Sequence, residues 1–321
     1  MACGFYKFYG AICVESMQQS TDSPVPLILV TGAGGALGRA LLIRLRNAGF
    51  RVRALVLPGF TADGAHEVVE GDVRDATSLL KATQGVQAVL HMAGIILSRS
   101  EGDFFLTNTL GTHNMIQASL EQGVERFIFV SSTSVEYEPR TAYAESKWQA
   151  EQFVRESSLH WSIVRPTLLV GKGGGVEFKM FCKLARLPFV PLPQGGVALK
   201  KPVHVDDLAQ GLCQLLQAPA QRTHAIYSLA GLESISLADM LCAIATQNFS
   251  SSENGRPVKT IIAVPVLLCS LLASILDKLP LFRFSAAQGL EGLLQQATPS
   301  IESAERDFGY SPKILTGRWH T

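Results

Sequence analysis

Short apolar runs alternate along the first half of the chain with segments in which apolar residues recur every three or four positions. The run Leu27 to Val30 has the length and composition of a buried strand, and Leu37, Leu41 and Leu45 follow it at the spacing of a helix. Strands and helices in alternation are typical of a parallel sheet that is covered by helices on both faces. The pattern therefore predicts an α/β fold with a doubly wound parallel sheet.

The same two periodicities predict the other elements. Further strands are expected at residues 51–57, 66–70, 86–91, 126–131, 161–165, 203–205 and 225–230. Helices are expected at residues 36–48, 76–81, 104–122, 143–157, 206–217 and 237–246.

A glycine-rich turn joins the first predicted strand to the first predicted helix. Gly32, Gly35 and Gly38 fit the pattern Gly-x-x-Gly-x-x-Gly, whereas the fingerprint Gly-x-Gly-x-x-Gly would need a glycine in place of Leu37. The unpaired N–H groups at a helix N-terminus bind phosphate groups. The turn therefore predicts a diphosphate site in a Rossmann-like sheet, and an ordinary glycine-rich turn is the alternative.

The composition of the sequence changes at two places. Residues 1–24 lack the basic start and clean apolar stretch of a signal peptide, so we expect a flexible N-terminal extension. After Pro166, loops rich in glycine and proline become frequent. We predict an NAD(P)-binding Rossmann domain at residues 25–166. Residues 167–321 are expected to form a smaller, mixed substrate-binding lobe, with segments that return to the sheet.

The overall composition excludes several kinds of partner. Hydrophobic residues make up 47% of the 321 residues and charged residues 17%, with a mean hydropathy of +0.21. The net charge of +1 provides no field for nucleic acid. The six cysteines lack metal-ligand spacing, so we expect neither a metal site nor disulfides, and free thiols indicate a reducing, cytoplasmic compartment.

One stretch near the C-terminus is unusually apolar. Residues 261–276 contain no charged side chain, and Asp277 and Lys278 follow them. A membrane-spanning helix needs about 20 apolar residues, and this shorter stretch contains Pro265 near its start. We expect the stretch to be buried in the C-terminal lobe. Peripheral contact with a membrane, or with another partner, is the alternative.

Two groups of polar residues could carry chemistry. Tyr143 and Lys147 are four positions apart and would share one face of a helix. A nearby ammonium lowers the pKa of a phenol, so Tyr143 is a candidate general acid/base that Lys147 tunes. Hydroxyls at Ser131, Ser132 and Thr133 follow a predicted strand, at the sheet edge where ligands bind. A solvated helix face is the alternative interpretation of the Tyr-x-x-x-Lys spacing.

These features occur together with others in an order that is found in one family. The chain resembles the extended short-chain dehydrogenases/reductases, and among them the NAD-dependent epimerase/dehydratase group, over roughly residues 26 to 230. The shared motifs are Thr31-Gly32 with Gly35 and Gly38, Gly71-Asp72-Val73-Arg74-Asp75, His91-Met92-Ala93-Gly94, Asn108-x-x-Gly111-Thr112-x-Asn114, Val130-Ser131-Ser132, Tyr143-x-x-x-Lys147, Arg165-Pro166-Thr167 and Val203-His204-Val205-Asp206-Asp207.

The resemblance implies where a nicotinamide dinucleotide would bind. The glycine turn would hold the pyrophosphate, Asp72 would accept a hydrogen bond from the adenine amino group, and Val73 would lie against the adenine ring. The expected cofactor-binding residues are Gly32, Gly35, Ala36, Leu37, Gly38, Arg39, Asp72, Val73, Ala93, Gly94, Ser131, Tyr143, Lys147, Pro166 and Thr167.

The resemblance also implies a catalytic group. Ser132, Tyr143 and Lys147 would act on the substrate and the nicotinamide ribose, and Asn108 would support the proton-relay side of the site. Thr133 is the second candidate for the role of Ser132. In this family His204 belongs to a structural junction, where we expect Asp206 to be the N-cap of the following helix.

The choice between NAD and NADP depends on the end of the second strand. An acidic residue there binds the ribose 2′-hydroxyl of NAD, and an arginine nearby suits the 2′-phosphate of NADP. The strand ends in Val56-Leu57-Pro58-Gly59, which offers neither. Because Arg39 and Arg53 are near in sequence, we expect NADP slightly before NAD.

The resemblance leaves three functions open. We expect an NAD(P)-dependent oxidoreductase that transfers hydride between nicotinamide and a carbinol or carbonyl carbon, with a substrate that could be lipophilic. The alternatives are a sugar-nucleotide epimerase and a non-catalytic, cofactor-bound subunit or redox sensor. Thr133-Ser134 stand where dehydratases of the group carry an acidic pair, which argues against dehydration. The cations available for a sugar-nucleotide diphosphate are Lys179, Lys183, Arg186, Lys200 and Lys201.

The resemblance also suggests a homodimer. Family members often pair through two helices, which here would be those predicted at residues 104–122 and 143–157. This expectation rests on analogy alone.

Overall fold

The computed structural model describes residues 25–219, 223–249, 260–279 and 285–320. The expected N-terminal extension at residues 1–24 lies outside these ranges. The strands are β1 (Leu27–Thr31), β2 (Arg51–Val56), β3 (Glu67–Glu70), β4 (Ala88–His91), β5 (Arg126–Val130), β6 (His160–Pro166), β7 (Leu169–Val170), β8 (Phe189–Pro193), β9 (Leu199–Lys200), β10 (Val203–His204), β11 (Ala225–Leu229), β12 (Ile235–Ser236) and β13 (Thr260–Val264).

Helices of very different length connect these strands. They are α1 (Ala36–Asn47), α2 (Ala76–Thr83), α3 (Glu101–Phe104), α4 (Gly111–Glu121), α5 (Ala142–Glu156), α6 (Val176–Leu184), α7 (Val205–Gln217), α8 (Leu237–Phe249), α9 (Val266–Lys278), α10 (Ala286–Leu294) and α11 (Glu302–Phe308). A π-helical segment, Phe105–Leu110, joins α3 to α4, and a short 3₁₀ turn, Thr133–Glu136, follows β5.

Seven parallel strands form the central sheet, in the order β3-β2-β1-β4-β5-β6-β11. The chain moves outward from β1 in one direction and then returns to continue in the other, so the strand order reverses between β1 and β4. Open α/β sheets bind ligands at the carboxyl ends of the strands at such a reversal. The predicted doubly wound, Rossmann-like fold is confirmed, and β11 extends the sheet beyond Pro166.

Helices cover both faces of the sheet. On one face, α1, α7 and α11 pack on the strands through a fully buried cluster that includes Leu41 and Leu212. On the other face, α2, α4 and α5 enclose a second cluster that includes Met115 and Phe129. Because both faces of each central strand are covered by helices, apolar side chains point to both faces. The central strands are therefore continuously apolar in sequence.

A third apolar cluster lies in the C-terminal part of the chain. Phe178 on α6, Met240 and Ile244 on α8 and Val190 on β8 form its centre, and Trp319 closes it. Strands β8 and β13 pair in parallel outside the main sheet. The sequence patterns predicted neither this pair nor helices α10 and α11.

The apolar stretch at residues 261–276 is not buried, contrary to expectation. It forms β13, Pro265 and most of α9, and Ala273 is the one residue of α9 that the structure buries. Leu267 is 86% exposed and Leu271 59%. Among the helices described, none is both long and apolar enough to cross a bilayer.

Two helix starts also differ from expectation. The helix expected from residue 104 begins at Glu101 and contains the π-helical segment. The N-cap of α7 is His204 and not Asp206, because His204 Nδ1 accepts the Asp206 N–H at 3.2 Å. Burial lowers the pKa of His204, which keeps the ring neutral and able to accept this bond.

Candidate active site

Two backbones approach so closely at the turn between β1 and α1 that side chains are excluded. Gly32 has a φ of +69°, and a Cβ there would lie 3.0 Å from the backbone of Met92 and Ala93. A Cβ at Gly38 would overlap the backbone of Ala33. Gly32 therefore permits the turn. Gly38 is buried and allows α1 to pack closely against the turn.

The start of α1 is suited to an anion. Gly35 is its N-cap and provides no side-chain cap, while Ala36 and Leu37 are half-buried in the first turn. Arg39 is exposed and donates to the Gly34 carbonyl at 2.8 Å. The N–H groups and the dipole of a helix start attract phosphate. The predicted pyrophosphate site therefore fits the residues present.

A chain of buried hydrogen bonds joins this turn to the segment that carries Asn108. The Thr31 hydroxyl accepts the Ala93 N–H at 3.0 Å and donates to His91 Nδ1 at 2.8 Å. His91 Nε2 donates to the Thr112 hydroxyl at 3.1 Å, because that hydroxyl itself donates to the Asn108 carbonyl at 2.6 Å. This assignment of donors and acceptors requires a neutral imidazole.

The environment of His91 keeps the ring neutral. Complete burial lowers its pKa to about 3, with a smaller effect from the positive charge of Lys147. His91 belongs to the motif His91-Met92-Ala93-Gly94, but the sequence analysis gave it no function. Its position at the end of an apolar strand was a signal for burial, whereas its partner Thr31 lies 60 residues away.

Ser132 and Tyr143, both predicted to be catalytic, lie together. The Ser132 hydroxyl lies close enough to the Tyr143 phenol to lower its pKa, and it accepts the Ser134 N–H at 3.2 Å as the N-cap of the 3₁₀ turn. Tyr143 is in the first turn of α5, and the Phe104 ring contacts it edge-on at 6.2 Å between centroids. The fold thus brings together two hydroxyls that are eleven positions apart in sequence.

The pKa of Tyr143 is raised, although we expected Lys147 to lower it. Burial is the largest cause, the negative charge of Glu177 adds to it, and the nearby Ser132 hydroxyl acts in the opposite direction. The phenol is therefore protonated at neutral pH. A protonated phenol can donate its proton to an oxygen atom.

Lys147 lies one helical turn beyond Tyr143 and is 4% exposed. Its ammonium donates to the Val130 carbonyl at 2.7 Å and stands 4.1 Å from the centroid of the Phe129 ring. Burial lowers the pKa of Lys147 to about 7, and Glu151 partly offsets this effect. Because the group carries only part of its charge at neutral pH, it is a weaker tuner of the phenol than expected.

A buried ion pair behind Lys147 was not foreseen. Arg165 on β6 binds the fully buried Glu151 of α5 through two hydrogen bonds, at 2.9 and 2.6 Å, and also binds Glu136 at 2.7 Å. The pair fixes α5 against the sheet. The contact between Arg165 and Glu151 could not be predicted from the sequence, because it depends on how α5 packs on β6.

Asn108 is a positioning residue in this structure. It is fully buried in the π-helical segment, accepts the Ile95 N–H at 2.8 Å and donates to the Ile95 carbonyl at 2.9 Å and to Ser146 at 3.0 Å. These bonds join the loop after β4 to α5. A Cβ at Gly94 would lie 2.9 Å from Asn108 Oδ1, which explains the glycine there.

One buried hydroxyl has the capacity to bind a ligand. Ser131 is 4% exposed, and within the described ranges its Oγ finds no hydrogen-bond partner. Buried hydroxyls are almost always paired, so an atom outside the chain would complete this one. Ser131 ends β5 beside the sheet reversal, and the residues there fit a bound dinucleotide.

Other expected cofactor contacts fit less well. Val73 is 6% exposed and packs on Gly111, so it offers little surface to an adenine ring. The Thr167 hydroxyl donates to the Lys201 carbonyl at 2.6 Å, and the Pro166 carbonyl accepts the Thr133 hydroxyl at 3.3 Å. Asp72 binds the Arg74 guanidinium, which lowers the pKa of Asp72.

The basis for NADP is only partly present. Arg53 binds Glu67 at 2.7 Å and donates to the carbonyls of Ala82 and Gln84, so it is not free to bind a phosphate. Arg39 remains available at the glycine turn. At the end of β2 the Gly59 N–H donates to the Glu70 carboxylate at 3.2 Å.

Solved structures of known proteins have a similar fold. A solved UDP-glucuronic acid 4-epimerase from Bacillus cereus, in complex with UDP-glucuronic acid and NAD, has a similar fold, with a TM-score of 0.69 and 17% identity. The superposition covers 91% of this chain and 95% of that one.

Two relatives are similar in sequence. Ceramide reductase of Caulobacter vibrioides is 33% identical over 60% of this chain, and the match spans 62% of that relative, less than two thirds of its length. The 2-alkyl-3-oxoalkanoate reductase of Stenotrophomonas maltophilia is 28% identical over 89% of this chain and 95% of its own length.

A family model covers more than half of the chain. The model of the NAD dependent epimerase/dehydratase family matches residues 28–230, which include the glycine turn, the catalytic candidates and β11. The chain therefore belongs to the NAD-dependent epimerase/dehydratase family and is an enzyme of that family.

Proposed function

We propose that this enzyme is a carbonyl reductase, or the corresponding alcohol dehydrogenase, in which Tyr143 is the general acid/base. The observation that carries the proposal is the proximity of Ser132 and Tyr143, at the end of β5 and in the first turn of α5, where the Ser132 hydroxyl affects the pKa of the phenol. A bound nicotinamide would supply or accept the hydride. The residues of the chain orient the carbonyl group and exchange the proton at its oxygen.

Each polar group then has a defined task. Ser132 donates a hydrogen bond to the substrate oxygen, and Tyr143, protonated at neutral pH, transfers its proton to the same oxygen during reduction. Lys147, with a pKa of about 7, can replace the proton on the phenol. Asn108 and the pair of Glu151 and Arg165 hold the segments that carry these groups.

The substrate is proposed to be lipophilic. Two of the relatives are a ceramide reductase and a 2-alkyl-3-oxoalkanoate reductase, and both names refer to lipophilic substrates. The alternative function, a sugar-nucleotide epimerase, needs cationic side chains that bind the diphosphate, and two of the candidates are engaged elsewhere. Lys200 is buried, with its ammonium on the carbonyls of Gly292 and Gln295, and Lys201 donates to the Pro299 carbonyl at 3.3 Å.

The nicotinamide proposed is NAD in preference to NADP. Of the two arginines expected to bind a 2′-phosphate, Arg53 is bound to Glu67, which leaves Arg39. The Glu70 carboxylate, at the end of β3 and beside the end of β2, would repel a phosphate and could accept a hydrogen bond from a ribose hydroxyl.

The test compares the wild type with a Tyr143→Phe variant. We expect purified wild type to oxidise NADH in the presence of aliphatic ketones, and Tyr143→Phe to lower kcat by about 10² to 10⁴-fold, the usual contribution of acid–base catalysis. Binding of NADH and NADPH, followed by fluorescence titration, should be unchanged in the variant and tighter for NADH.

Tyr227→Phe is the matched control. It removes a phenol oxygen that binds Asp307 at 3.1 Å, among residues that pack against the opposite face of the sheet from α5. A Tyr143→Phe variant with full turnover would refute the assignment of Tyr143. Tight cofactor binding without turnover by the wild type would instead support the non-catalytic subunit or sensor.

A further inference from the structure

A second glycine-rich segment lies beside the glycine turn between β1 and α1. Residues 171–175, with the sequence Gly-Lys-Gly-Gly-Gly, form a loop that connects β7 to α6. A Cβ at Gly173 would lie 3.8 Å from the Cβ of Ala36, which is in the first turn of α1. The loop 171–175 therefore borders the start of α1, where the pyrophosphate of the cofactor is expected.

Packing explains two glycines of this loop. Gly171 has a φ of +98°, and a Cβ there would overlap the ring of His204, the N-cap of α7. A Cβ at Gly174 would lie 2.7 Å from the ring of Phe178, at the centre of the C-terminal apolar cluster. The Gly174 N–H donates to the Gly171 carbonyl at 2.7 Å. These contacts fix both ends of the loop.

The middle of the loop has no such packing role. Gly173 has a φ of +78°, which favours glycine, but a Cβ there would meet only Ala36, at an ordinary contact distance. Within the described ranges, the N–H groups of Lys172 and Gly173 have no hydrogen-bond acceptor. Two free donors therefore lie beside the first turn of α1.

Lys172 adds a positive charge at the same place. Its side chain is exposed, and it forms no hydrogen bond or ion pair with any residue that the structure describes. Consecutive Cα atoms are about 3.8 Å apart, and the stem of a lysine is long and flexible. The ammonium of Lys172 can therefore reach an anion that is bound at the start of α1.

We propose that the loop 171–175 is a second phosphate-binding element of the dinucleotide site. The ammonium of Lys172 binds an oxygen of the cofactor diphosphate, and the N–H groups of Lys172 and Gly173 donate to the same group. Backbone N–H groups of a turn and of a helix start both favour bound anions. The ligand follows from the family, whose members depend on NAD, so the inference does not depend on carbonyl reduction.

The first test removes the charge of Lys172. NADH binding is followed by fluorescence titration, and ADP-ribose, which contains the diphosphate but no nicotinamide, is titrated in competition with NADH. Lys172→Met should weaken both ligands by about 10-fold, or about 1.4 kcal/mol, because a charge-assisted hydrogen bond is lost. Lys172→Arg should restore most of the affinity. Lys81→Met, which removes an exposed lysine from α2, is the matched control and should change neither affinity.

Two further measurements identify the diphosphate as the group that is bound. Adenosine, which has no phosphate, should compete with NADH equally well in the wild type and in Lys172→Met. The affinity of the wild type for NADH should also fall more steeply with salt concentration than that of Lys172→Met, since salt screens the interaction of an exposed charge.

Gly173→Ala tests the backbone of the loop. The substitution disfavours a φ of +78° and adds a methyl group beside Ala36, so it should weaken the binding of NADH and of ADP-ribose. Gly123→Ala is the matched control, because Gly123 has a φ of +68° and a Cβ there would meet no atom within 4 Å. Urea denaturation should show similar losses of stability in the two variants, and only Gly173→Ala should lose affinity.

Two results would overturn the inference. One is an unchanged affinity of Lys172→Met and Gly173→Ala for NADH and ADP-ribose. The other is an equal loss of affinity for adenosine, which would show that the variants disturb the whole site. Because every measurement is of binding, a failure of the proposed function is detected separately, by the turnover of the wild type and Tyr143→Phe.

Discussion

Burial controls the protonation of three residues around the site. It raises the pKa of Tyr143 and lowers the pKa of Lys147 and His91, in each case against the charged form. Because desolvation is the largest cause for all three, the local charge pattern in the sequence predicted the wrong direction for Tyr143. The neutral phenol and neutral imidazole are the forms that proton donation and the hydrogen bonds of Thr31 require.

His91 leads to a prediction about stability in acid. Its pKa is 6.5 in the unfolded chain and about 3 in the fold, so between these pH values the unfolded state binds the additional proton. Protons therefore favour unfolding in this range, and stability should fall as the pH decreases from 6.5 towards 3. The contribution reaches about 1.4 kcal/mol per pH unit.

The measurement is the free energy of unfolding by urea as a function of pH. His91→Gln should have a flatter profile than the wild type below pH 6.5, whereas His160→Gln, at an exposed position, should follow the wild type. Parallel profiles for the wild type and His91→Gln would contradict the buried neutral imidazole.

At the scale of elements, the close contact between α1 and the glycine turn positions the helix start. Gly38 lies against the backbone of Ala33, and the only adjustment open to α1 is to move away from the turn. The position of the helical segment from α3 to α4 is likewise fixed by close contact. Its π-helical part brings Asn108 against Ile95 and Ser146. The geometry of the site therefore depends on where these helices lie, and not only on which residues are helical.

Gly38→Ala is therefore expected to destabilise the protein by about 1–3 kcal/mol, the usual cost of overpacking, and to weaken NADH binding. Gly289→Ala is the matched control, because Gly289 lies inside α10 and a Cβ there meets no atom within 4 Å. That control should stabilise the protein by up to about 1 kcal/mol through helix propensity. Urea denaturation would measure both changes, and equal effects would refute the packing role of Gly38.

At the scale of the whole molecule, one apolar surface has no cover among the described residues. Leu267, Leu268, Leu271, Leu272 and Ile275 on α9 are between 47% and 86% exposed. Exposed apolar patches of this kind mark interaction surfaces. Peripheral membrane contact through residues 261–276 stays a prediction. So does a homodimer through the helices at 104–122 and 143–157, whose exposed apolar residues include Phe105 and Phe153.

Substitution on α9 tests whether this surface is free. Leu267→Gln and Leu271→Gln should each change the free energy of unfolding by less than about 0.5 kcal/mol and should reduce co-sedimentation with lipid vesicles. Leu241→Gln, in the buried part of α8, should cost several times more. A large loss of stability with Leu267→Gln would indicate that the fold, or a stable partner, covers the surface.

The alternation of apolar patterns by itself determined the doubly wound sheet. Strand and helix periodicities are local properties of the sequence, so they can be recognised without knowing which segments pack together. The order of the motifs likewise located the glycine turn, Ser132, Tyr143 and Lys147. Residues paired across long separations were decided by tertiary structure, as with His91 and Thr31 or Arg53 and Glu67. The protonation of Tyr143 and the exposure of α9 were decided in the same way, because desolvation and solvent access depend on which segments pack together.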